Sequence, residues 1–179
     1  MSAELVSPWA DFLQELDSLL DEPFELHCMG GFAAVVAYGL PRSTNDLDYF
    51  SVTPASRTGY LEELAGEGST LARKYRVHMH SARVPSLPEN YEERLTELFP
   101  DRFKSLRLFV PDPYDLVLSK LSRNAEVDRE DVPYLAKTLN LNSEVLHERY
   151  EGEYLSIGPP ERDRNTLKFW IEAYFSSGR

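Results

Sequence analysis

The chain has 179 residues, enough for one domain or a core with an appendage, and its ordinary share of apolar side chains can bury a true core. Its 30 acidic and 19 basic residues leave a net charge of −11, which argues against a broad, sequence-independent grip on nucleic-acid phosphates. A single cysteine, Cys28, excludes an internal disulfide, and no stretch approaches the roughly 20 apolar residues of a membrane span. The N-terminus lacks the basic-then-apolar layout of a secretory signal, so a cytoplasmic protein without membrane partners is expected.

In chain order, the spacing predicts a helix from Pro8 to Leu20, with Trp9, Phe12, Leu16, Leu19 and Leu20 on its apolar face. Asp21-Glu22-Pro23 ends it. The stretch from Phe24 to Val52 then carries most of the information. A short apolar run leads to Gly30-Gly31, and a small-residue helical segment (Phe32 to Tyr38) stops at Gly39. The turn Arg42-Ser43-Thr44 leads into Asp46-Leu47-Asp48 and a second apolar run, Tyr49 to Val52. This reads as strand, glycine turn, helix, loop, strand, with the glycine pair where bare backbone N–H groups could meet a phosphate.

On a strand, residues two apart share a face, so Asp46 and Asp48 project together. Two adjacent carboxylates repel each other unless a cation lies between them. Mg²⁺ or Mn²⁺ suits such a pair and can hold a triphosphate as well. The plainer alternative is a solvated strand end with an Asx-type turn at Asn45 and Asp46. Cys28, in the apolar run before the glycines, is expected to be a small buried residue and not a nucleophile.

Beyond Thr53-Pro54, helices are predicted for Arg57 to Ala65 and Gly68 to Tyr75. A third strand follows over Arg76 to Ala82, ending before Pro85. Asn90 to Phe99 reads as an acidic helix and Ser105 to Val110 as a strand with Leu106, Leu108 and Val110 on one face. From Pro111 the pattern is helical. Asp112 or Asp115 caps a helix carrying Tyr114, Leu116, Val117, Leu118 and Leu121; Asp128 to Leu139 follows, then Ser143 to about Leu155 with Ser143 as cap. A last helix starts at Pro159, its apolar surface (Leu167, Phe169, Trp170, Ile171, Tyr174, Phe175) expected to be buried in the chain or in a homodimer. The basic clusters Arg73, Lys74, Arg76 and Arg102, Lys104, Arg107 read as solvated faces, the alternative being a local patch for an RNA end. His78 and His80 share a strand face, but no third ligand stands near them in sequence, so a structural pair is expected in preference to a zinc site.

The residues Gly30-Gly31, Tyr38-Gly39-Leu40, Arg42-Ser43-Thr44 and Asp46-Leu47-Asp48 together resemble the signature of the nucleotidyltransferase superfamily of DNA polymerase beta type. The branch is similar to small bacterial proteins related to the nucleotidyltransferase toxins of abortive-infection systems. The resemblance implies an α+β fold over residues 1–179: a mixed sheet of four or five strands with flanking helices (about 22–110) and a helical C-terminal region (about 111–179). It implies Mg²⁺- or Mn²⁺-dependent transfer from an NTP to RNA, a protein hydroxyl or a small molecule. Gly30, Gly31, Arg42, Ser43 and Thr44 would receive the nucleotide, and Asp46 and Asp48 the metal. Lys120 would offset phosphate charge, with Asp131 or Asp128 in support; otherwise Lys120 is a snorkelling surface lysine and Asp128 a helix cap. Members of the superfamily carry a third carboxylate on the strand after Asp-x-Asp. Here that strand reads Arg76-Val77-His78-Met79-His80-Ser81. Either His80 serves there as a base or the chain is a binding module without turnover.

Overall fold

The computed structural model describes residues 5–82 and 86–175. Pro85, which the sequence marks as the limit of the third strand, lies outside the described residues. Two compact units emerge: residues 5–82 with Thr96–Val110, and residues 86–95 with 111–175.

The first unit is a five-stranded mixed sheet with helices. Its strands are β1 (Phe24–Met29), β2 (Asp46–Thr53), β3 (His78–Ser81), β4 (Thr96–Leu98) and β5 (Leu106–Val110), in the order β3-β2-β1-β5-β4. β1 pairs antiparallel with β2 and parallel with β5; β2 and β3 are parallel, β4 and β5 antiparallel. The parallel β2–β3 pair needs a crossover, and two helices supply it: α3 (Thr58–Ala65) and α4 (Thr70–Tyr75). These helices and α1 (Trp9–Leu19) contact one another. Alternation sends Phe24, Leu26 and Cys28 of β1, Leu47 and Tyr49 of β2, and Leu106, Leu108 and Val110 of β5 into buried positions. Phe12, Leu13 and Leu16 of α1 are fully buried, and Trp9 meets Phe12 and Phe32 edge to face. Leu19, expected on the apolar face, is 46% exposed, whereas Leu13 is fully buried.

Two expectations need correcting here. The segment after β1 is not an ordinary α-helix: α2 covers Gly30–Phe32 and widens into a π turn over Ala33–Ala37. It closes at Gly39 (φ +71°), with Leu40 N–H donating back to the Ala34 carbonyl six residues earlier. The predicted helix over Asn90 to Phe99 is instead a 3₁₀ turn (Tyr91–Arg94) followed by β4. Pairing with β5 overrides the helical propensity of the acidic run, and Glu97 accepts a hydrogen bond from Arg107 across the ladder at 2.9 Å.

The second unit contains α5 (Pro113–Ser119), α6 (Glu126–Thr138), α7 (Ser143–Gly152) and α8 (Glu161–Trp170), the last continuing as a π turn over Ile171–Phe175. Leu116, Val117, Leu118, Val132, Leu135, Leu146, Tyr150 and Trp170 are buried in it. Asp112 caps α5 by accepting from Asp115 N–H at 2.9 Å, which decides between the two expected caps. Asn142, not Ser143, caps α7, because its side-chain oxygen accepts from Glu144 N–H at 2.7 Å. On α8 the expected apolar surface divides: Leu167 and Trp170 are buried, whereas Phe169 is 57% exposed. Among the described residues, no helix is long and apolar enough to cross a membrane.

Candidate functional site

In the first unit the chain leaves β1 at Met29, which pairs with Asp48 of β2, and turns at Gly30 with φ +66°. A Cβ on Gly30 would stand 2.6 Å from Asp48 Oδ2, so the carboxylate lies against backbone that only glycine can present. A Cβ on Gly31 would meet Thr44 Oγ1 at 3.0 Å and both terminal Arg42 nitrogens at 3.2 Å. Gly31 does not share the positive φ; the conformational demand falls on Gly30 alone. The Thr44 hydroxyl lies 3.0 Å from Asp46 Oδ1 and 3.1 Å from the Asp46 carbonyl, fixing the start of β2. Arg42 Nη1 donates to the Ser43 carbonyl at 3.3 Å. Gly30, Gly31, Arg42, Thr44, Asp46 and Asp48 thus gather at one end of the β1–β2 pair. Ser43 belongs to the same loop.

The strand register adds a residue to this group. β3 lies beside β2 with His78 opposite Asp46 and His80 opposite Asp48, and His80 Nδ1 comes within 3.1 Å of Asp48 Oδ1. Sequence reading left the histidines without a carboxylate neighbour because the partners are 32 residues apart. The parallel crossover through α3 and α4 brings them together. Cys28, also next to this end, is fully buried; burial, and then the Asp48 charge, push its thiol well above the usual range, which suits an inert core position.

Lys120 and Asp131 belong to the second unit. Lys120 ends α5 with 3% of its surface exposed, which rules out a snorkelling surface lysine. Its Nζ donates to Asp128 Oδ1 at 3.1 Å and to Asp131 Oδ2 at 2.9 Å, both carboxylates being buried. Asp128 also accepts from Arg123 Nε at 2.8 Å and from Ala125 N–H at 3.0 Å; it is not the cap itself but the third residue of α6, bonding back to the backbone of the cap residue Ala125. Burial by itself would raise the Asp128 carboxyl, but Arg123 and Lys120 outweigh it and hold the group below its ordinary range. A second network in this unit joins Arg94 and Arg149 to Asp115, at 2.9 Å each. There burial prevails over both guanidinium groups and Asp115 is pushed up. A cavity of about 480 Å³ in this unit is lined by His147, Tyr150, Arg164, Leu167 and Lys168 among others, and by none of the residues expected to hold the nucleotide or the metal.

The donors at the β1–β2 end fit a hard divalent cation. They are carboxylate oxygens on one strand face, one of them seated against the bare Gly30 backbone, with the Arg42 cation nearby. Among the described residues, no three His, Cys, Asp or Glu side chains converge on one point.

A mixed five-stranded sheet with an Asp-x-Asp strand beside a glycine turn defines a nucleotidyltransferase-like protein. The chain belongs to the family described as nucleotidyltransferase of unknown function (DUF6036), whose model matches residues 10–178. No curated protein and no solved structure matches it.

Proposed function

We propose that this chain is a nucleotidyltransferase of the DNA polymerase beta type that binds an NTP at the β1–β2 end through a divalent cation, Mg²⁺ or Mn²⁺. The observation that carries the proposal is the seating of Asp48 against Gly30, with Arg42 and Thr44 beside Gly31. Asp46 and Asp48 hold the cation, which when bound neutralises phosphate charge and orients the triphosphate. Backbone amides at Gly30 and Gly31 and the Ser43 hydroxyl donate to phosphate oxygens, while Thr44 holds the loop to Asp46. Arg42 supplies a fixed positive charge for the transferring group. In the reaction an acceptor hydroxyl gives its proton to solvent, its oxygen bonds to the α-phosphorus, and the bond from that phosphorus to the bridging oxygen breaks as pyrophosphate leaves. The acceptor is RNA, a protein hydroxyl or a small molecule. Lys120 and Asp131 enter only as the superfamily resemblance suggests, with Asp131 and Asp128 holding the lysine.

A second reading, a nucleotide-binding module without turnover, is favoured by one observation: the residue opposite Asp48 on β3 is His80, not a carboxylate. Incubation with α-labelled NTPs and a divalent cation separates the two. Label transferred to protein, RNA or a small acceptor supports the enzyme. Saturable NTP binding with no transferred label supports the module.

A further inference from the structure

We propose that the cavity between α7 and α8 is a ligand site for an apolar molecule that carries a protonated amine. None of its lining residues takes part in the nucleotide reading, so the inference stands independently of it.

Size and lining are the first argument. The volume of about 480 Å³ falls within the roughly 300–1,000 Å³ of small-molecule sites. Helical spacing supplies both walls. Ser143, His147 and Tyr150 recur at intervals of three or four residues along α7; Arg164, Leu167 and Ile171 do the same along α8 and into its π turn. Tyr150 and Leu167 are buried and Ile171 is half-buried, which makes the floor apolar, whereas the charged lining residues are exposed at the mouth. The π turn that opens at Ile171 puts Glu172 on the lining beside it, and such turns are frequent at functional sites.

Charge then selects the ligand. Glu151 accepts from Arg164 at 3.4 Å, joining the last part of α7 to the first part of α8. Away from that bond, Glu144 lies back along α7 and Glu172 onward past α8, each by about 10–12 Å at helical rise. Both helices line the one cavity over the same span, so they run antiparallel and the two carboxylates share its far end. Among the described residues, neither carboxylate has a hydrogen-bond or ion-pair partner. Two like charges at one end of an apolar cavity repel each other unless a cation lies between them. A protonated amine supplies that cation with three N–H donors, and its apolar body covers Tyr150, Leu167 and Ile171. Lys168 and His147, exposed midway along the cavity, are the groups that a carboxylate ligand would use. Against Glu144, Glu172 and a chain of net charge −11 they are outweighed.

The test is titration calorimetry of the full chain at neutral pH, comparing tryptamine with indolepropionate, followed by amide chemical-shift mapping of bound tryptamine. Chelator is present throughout, so that no divalent cation contributes. Wild type is expected to bind tryptamine saturably and about fivefold or more tighter than indolepropionate. The shifts are expected at His147, Tyr150, Leu167 and Ile171. The double variant Glu144→Gln, Glu172→Gln changes exposed groups alone; it is expected to keep its circular dichroism spectrum and lose the preference for the amine. No saturable tryptamine binding, indolepropionate binding as tightly, shifts confined to residues outside the cavity, or a preference that survives in the double variant would each overturn the proposal.

Discussion

Gly30 meets two demands that no other residue type combines. Its φ of +66° costs a residue with a Cβ about 1–2 kcal/mol, and that Cβ would lie 2.6 Å from Asp48 Oδ2. Gly30→Ala is therefore expected to lower thermal stability and to displace Asp48, so that melting temperature and metal affinity fall together. Gly31→Val differs, since its neighbours are the ends of the Arg42 and Thr44 side chains, which can swing aside. Stability is expected to hold while NTP binding is lost. A Gly31→Val protein that binds NTP normally would confine the glycines to shaping the turn. Lys120 is the other decisive residue. Replacing it by Met leaves the buried Asp131 and Asp128 short of a cation, and unfolding free energy should fall by about 3–5 kcal/mol in urea titrations. Unchanged stability with weakened triphosphate affinity would give Lys120 a phosphate-binding role. The sign of the pH effect follows from Asp128. Its folded value is depressed, so its contribution is complete above the ordinary value of 3.8 and is lost only as pH falls through the lower folded value. Stability contributed by this network is accordingly flat through neutral pH and drops only in strong acid.

At the scale of elements, local patterns were legible and distant pairings were not. β1, β2, β5 and the paired helices α3 and α4 follow from alternation, helical spacing and glycine or proline breaks within a few residues of each element. β4 was invisible because Thr96–Leu98 is short and acidic, and its reason for existing, the ladder to β5, begins eight residues further on. The same limit hid the partner of His80, which only the parallel register of β2 and β3 supplies. Burial of Lys120 was hidden too, since Asp128 and Asp131 reach it only once the chain folds back through residues 122–125. Asp17 of α1 is a fourth case. Its carboxylate accepts from the backbone N–H groups of Lys104, Ser105 and Leu106 at 2.7–3.0 Å and so fastens the start of β5. Asp17→Ala strands those donors and is expected to cost about 3 kcal/mol. An equilibrium unfolding curve that matches wild type would mean water takes over all three bonds.

For the molecule as a whole, the net charge of −11 makes a local arrangement of cations necessary if a triphosphate is to bind at all. The nucleotide site proposed here is therefore conditional on metal: two carboxylates, with Arg42 beside the glycine turn, would repel an NTP unless a divalent cation joins them. This also explains why the sequence alone could point to the site. Its glycines, loop and aspartates lie within 19 consecutive positions, so the chemistry is written locally even though the β3 contribution is not. The most direct measurement is titration calorimetry of each NTP against wild type and Asp48→Asn, with Mg²⁺ or Mn²⁺ and then with chelator. The expected result is saturable binding of at least one NTP by wild type only when the cation is present, and none by a folded Asp48→Asn protein. Equal binding in chelator, or undiminished affinity in Asp48→Asn, would contradict the assignment of this strand end to a metal-held triphosphate.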